Sequence, residues 1–147
     1  MEAFGVTFLL GLAAVDDIRT KRIRVLELIA FAILGLIIDI VLRPHSFSSI
    51  AGGLLVGVAV YIFSVISKEK IGKGDALLVM VASLYLGFIN VVVLLWISSI
   101  MAAVFGVIYM FKNKKKADME IPFVPFMLLA YLLMYTISML GGLVIWN

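Results

Sequence analysis

The 147 residues are 65% hydrophobic and 14% charged, with a formal net charge of +3, and their mean hydropathy is +1.23. That leaves too little polar surface to cover a soluble globule, so the composition specifies an integral membrane protein. There is no cysteine and a single histidine, His45. Disulfides, thiolate metal sites, a cysteine nucleophile and an imidazole cluster are excluded.

Apolar runs between charge clusters fall, in chain order, near residues 3–15, 26–41, 50–66, 76–89, 91–111 and 122–145. A span takes about 20 residues, so the expected fold is all-α: a polytopic bundle of about six transmembrane helices forming one membrane-embedded domain over residues 1–147. The first run lacks a basic segment ahead of it and reads as a retained span, not a secretory signal. No charge interrupts residues 76–111. As one straight helix that stretch would be roughly 54 Å long, against a hydrocarbon core of about 30 Å. The chain must fold back, and Gly87 and Asn90 are the natural turn residues.

Charge distribution tests this count. Arg19, Lys21, Arg22 and Arg24 follow the first run, Lys68, Lys70 and Lys73 the third, and Lys112, Lys114, Lys115 and Lys116 the fifth; Arg43 alone lies on the other side. Basic loops stay in the cytoplasm, so six spans put both termini outside. Lys112 to Lys116 are also suited to anionic lipid head groups.

In this topology two carboxylates reach one membrane boundary. Asp17 ends the first run, and Asp75 opens the fourth behind Gly72-Lys73-Gly74. Acids at membrane helix ends point to chemistry. Two carboxyls that share a proton can take one from water and give one to a carbonyl, because close like charges do not both ionise readily. Asp75 sits at a helix N-terminus, which favours the anion, and Asp17 near a helix C-terminus, which favours the acid. Asp75 is therefore the expected anion of the pair. The plainer alternatives are that Asp75 only caps its helix, that Asp17 is an interfacial acid paired with Arg19 or Lys21, or that Asp16 works in its place. Asp39 reads as a surface partner of Arg43, four residues on, and His45 as an exposed loop residue. Gly53 and Gly57 form a small-xxx-small pair for close helix packing.

Gly72-Lys73-Gly74-Asp75, Asp17 followed by Arg19 and Ile23, and Glu120-Ile121-Pro122-Phe123-Val124-Pro125-Phe126 together resemble the type IV prepilin peptidases, the GxGD aspartyl membrane proteases. The resemblance covers nearly the whole chain. It implies an endopeptidase of the cytoplasmic membrane, with its active site on the cytoplasmic side, that removes the short basic leader from prepilin-like proteins. Asp17 and Asp75 would be the catalytic pair, with Gly72, Gly74, Pro122, Phe123 and Pro125 positioning the substrate. The implied partners are a prepilin-like substrate and membrane lipid, with no nucleic acid, cofactor or metal. The chain departs from the family where Ile23-Arg24-Val25 stands in place of Ile-Pro-Asn, and where Leu77 replaces a common lysine. The cysteine-rich and N-methylating segments of larger members are absent, so cleavage without methylation is implied; the size is most similar to the minimal peptidases of tight-adherence pili or archaeal surface filaments. A small transporter would usually show an internal repeat or midplane charges, and a structural subunit of a pilus assembly would need no aspartate pair. The Tyr-Asp and Pro-Ala-Leu motifs of presenilin-like proteases do not occur.

Overall fold

The computed structural model describes residues 2–20, 25–42, 45–66, 72–113 and 122–141. Among these all regular structure is helical: α1 (Glu2–Thr20), α2 (Val25–Leu42), α3 (Phe47–Ile66), α4 (Lys73–Asn113) and α5 (Val124–Gly141). Three stretches, Phe47–Ile66, Lys73–Lys112 and Val124–Gly141, are long and apolar enough to cross a membrane. Large apolar side chains cover the outside, among them Phe4, Ile33, Leu55, Trp96 and Phe111. That surface suits hydrocarbon, and the chain is a membrane protein.

The long α4 is two limbs broken at Gly87, whose φ of 71° and ψ of 178° are not helical. This backbone region is open essentially to glycine alone. The limbs do not form a straight rod. Asp75, at the start of the first limb, interacts electrostatically with Asp17, and Asp17 is bonded to Val124. Two residues further along α5, Phe126 packs on Phe105 of the second limb with ring centroids 5.4 Å apart. A straight helix would separate Asp75 from Phe105 by about 45 Å, so the second limb returns toward the end where the first began. The break falls at one of the two expected residues. Asn90, the other, is buried inside the helix. Its Nδ2 donates to the Leu86 carbonyl, four residues back, at 3.0 Å, a local bond that satisfies the buried amide within its own helix.

Small residues set the helix separations. A Cβ on Gly53 would lie 2.6 Å from Ser83 Cβ, one on Gly52 3.0 Å from Phe88, and one on Gly57 3.0 Å from Met80 Cα. As α3 advances, its partners on α4 retreat, so the two pack antiparallel at near-backbone distance. This is the expected small-xxx-small contact. Gly57→Val should therefore push α3 off α4, at a cost of about 3 kcal/mol from overpacking; a lowered unfolding temperature in detergent would register it. Tyr85, fully buried, lies between α1 and α2: the Cβ positions of Gly5 and Gly35 come within 2.9 and 3.0 Å of its ring. Its hydroxyl donates to the Phe31 carbonyl at 2.6 Å.

At the Gly87 end the structure corrects two expectations. Asp39 is buried, and its Oδ1 lies 3.3 Å from His45 Nδ1. The His45 side chain is only 10% exposed. Asp39 thus pairs across the end of α2 with His45, while Arg43 lies outside the described residues. Neither is an open surface residue. The Ser49 hydroxyl next to them accepts the Phe88 N–H at 3.0 Å, securing the chain just past the break.

Candidate active site

The carboxylates meet because of helix register. Gly5 of α1 contacts Tyr85 of α4, and the two helices run in opposite directions from there. Asp17 lies about 18 Å along α1 and Asp75 about 15 Å back along α4, so both arrive at the same level. The electrostatic interaction between them agrees with that placement.

Asp17 stands in the last turn of α1, 8% exposed. Its Oδ2 accepts the Val124 N–H at 3.1 Å. A carboxylate from one helix thus caps the start of another, 107 residues later, a favourable use of the positive end of a helix. Asp75 lies in the first turn of α4. The Gly72 carbonyl accepts the N–H of Asp75 at 3.1 Å and of Ala76 at 3.4 Å. Gly72 is thereby the residue that starts the helix, and Asp75, three positions on, folds back over it: a Cβ on Gly72 would lie 3.2 Å from Asp75 Oδ2. A side chain at position 72 would crowd the carboxylate. Gly72→Val should slow turnover by about ten-fold by misplacing Asp75, with little change in unfolding temperature because Gly72 is exposed. Steady-state rates and a thermal melt on the same sample separate the two effects.

Of the remaining expected site residues, Gly74 is half-buried in the first turn of α4, and Pro122 and Phe123 precede α5. Phe123 starts that helix, its carbonyl accepting the N–H groups of Phe126 at 3.0 Å and Met127 at 3.2 Å. Pro125 follows in the first turn, where a missing N–H costs little. All three segments, 17, 72–75 and 122–125, therefore converge on one end of the bundle. Asp39 and His45 lie at the other. Among the described residues no group of three His, Cys, Asp or Glu is arranged to hold a metal ion. Arg22, Ile23 and Glu120 fall outside the described residues.

The Val124 amide is the contact the sequence does not announce. No side chain marks it. Its only trace is the spacing of Pro122 and Pro125, which have no N–H and leave the amides of Phe123 and Val124 between them.

An all-helical membrane protein with two carboxylates at one end of the bundle, Asp75 in the first turn of α4 and Asp17 at the end of α1 bonded to the start of α5, has the makings of a membrane-embedded acid–base centre. The family model described as the type IV leader peptidase family matches residues 4–107, and the chain belongs to that family. The chain is accordingly a peptidase of the type IV leader class. The match takes in Asp17 and Gly72 to Asp75, and ends before Pro122. No curated protein matches the chain, and no solved structure does.

Proposed function

We propose that this protein is an aspartyl endopeptidase that removes the basic leader from prepilin-like membrane proteins, with Asp17 and Asp75 as its two catalytic groups. The observation that supports the reading is helix register: two carboxylates 58 positions apart in sequence come to one level of the bundle, one in the first turn of α4 and one bonded to the start of α5. One carboxylate takes a proton from water as the oxygen attacks the scissile carbonyl, and the other gives its proton to the carbonyl oxygen. The product is a neutral gem-diol. Its collapse reverses the roles: the first group returns its proton to the departing amine nitrogen, and the second recovers one from a gem-diol hydroxyl as the C–N bond breaks. The pair ends as it began, and no metal enters the cycle.

In our reading the chain crosses the cytoplasmic membrane six times, the two limbs of α4 counting separately, with both termini outside. The return of the second limb toward α5 supports that count, and the bias of Lys and Arg supports the orientation. The carboxylates then work at the cytoplasmic face, where a leader awaits removal, and Gly72, Gly74, Pro122, Phe123 and Pro125 border the substrate strand. The product is a shortened, unmethylated protein. The test uses purified protein in lipid vesicles of known orientation and an added prepilin-like substrate. Cleavage only where the basic loops face the added substrate, with the mass of an unmethylated mature N-terminus, is expected; cleavage confined to the opposite orientation would reverse the proposed topology.

A further inference from the structure

The first turn of α5 has few amides to offer. Pro125 has none, and the N–H groups of Phe126 and Met127 are spent on the Phe123 carbonyl. Val124 remains, fully buried, and its N–H goes to Asp17 Oδ2 at 3.1 Å. The helix carries no acid in its first turn and no charged residue anywhere in 124–141. The carboxylate from α1 thus supplies the negative charge that this helix start favours.

Resting on the peptidase reading above, we propose that the Val124 amide is the positioning group for Asp17. It fixes the carboxylate and holds negative charge on it, so that Asp17 takes the proton from water and Asp75 supplies the proton to the carbonyl oxygen. The helix ends of α1 and α4 taken alone favour the opposite division. They leave out α5, whose N-terminus is in direct contact with Asp17. The other charged groups carried at this end by the described helices are Asp16 and Arg19 on α1, Glu27 on α2, and Lys73, Asp75 and Lys112 on α4; α5 adds none. Arg19, Lys73 and Lys112 are all exposed, where water screens their charge.

The sequence permits a direct test, because proline at the first position of a helix is tolerated and needs only an extended residue before it. Val124→Pro removes the one N–H and little else. In the full-length protein in lipid vesicles, cleaving a prepilin-like substrate, kcat should fall about ten-fold near neutral pH with KM unchanged. The acidic limb of the pH profile of kcat/KM should move up by about one pH unit, with the alkaline limb in place. Val124→Ala, which keeps the N–H, should leave both limbs where they are. An unmoved profile in a folded Val124→Pro protein would show that the contact is only structural, and an upward shift of the alkaline limb would make Asp17 the proton donor; either overturns the proposal. Should Val124→Pro fail to fold, an ester in place of the 123–124 amide deletes the same hydrogen, and the same two outcomes apply. Wild type that cleaves nothing would remove the peptidase reading itself, whereas normal wild-type cleavage with unmoved limbs removes only the role of Val124.

Discussion

Asp17→Asn and Asp75→Asn should each reduce leader cleavage by at least about a thousand-fold, and the double substitution should be scarcely worse than either single one. In the proposed cycle the two carboxylates act as one unit: the proton taken by one matches the proton given by the other, so removing either would stop it. Asparagine retains the shape and an acceptor oxygen, so the Val124 N–H at Asp17 keeps a partner and the folded state survives. Equal membrane levels and unfolding temperatures for the three variants are therefore part of the expected result. Independent, multiplying losses from the two positions would mean that the groups do not share a proton. Single-turnover rates on purified protein distinguish the cases.

Gly87→Val should have the largest effect on folding of any single substitution outside the site. Two costs combine at this position. A φ of 71° is outside what a β-branched residue adopts, and a Cβ would lie 2.7 Å from His45 Cδ2 and 2.8 Å from Ser49 Oγ. Those neighbours have little freedom to withdraw, since His45 is tied to Asp39 and Ser49 to the Phe88 N–H. The penalty is on the order of 3 kcal/mol or more, a large part of the stability of a small domain. Loss of α4's return would also remove Phe105 from Phe126 and with it support for the start of α5. Little folded protein should be recovered, as size-exclusion profiles in detergent would show; a Gly87→Val protein that melts like wild type would contradict the turn as described.

Much of this architecture is legible along the chain, because hydropathy and length are local properties. The apolar runs at 26–41 and 50–66 correspond closely to α2 and α3, and the excess length of 76–111 requires the break that occurs at Gly87. Asn90 illustrates the limit of propensity. An isolated asparagine after a glycine reads as a turn residue, yet here its amide serves the Leu86 carbonyl four residues back inside the helix, an option that propensity does not rank. Asp39 is a similar case. Helical spacing offers Arg43 four residues on, but α2 ends nearby and the chain brings His45 back over the carboxylate. Asp17 and Asp75 are recognisable from their surroundings in sequence, while the Val124 amide is not: a backbone N–H has no letter of its own, and the contact spans 107 residues.

The central claim is that Asp17 and Asp75 together cleave a leader. Its most direct test is the intact mass of a prepilin-like protein co-expressed with wild type and with the Asp17→Asn, Asp75→Asn double variant. The account predicts a single shortened product with an unmethylated N-terminus in the first case, and only the full-length precursor in the second, at equal amounts of enzyme in the membrane. Processing that persists in the double variant would contradict it.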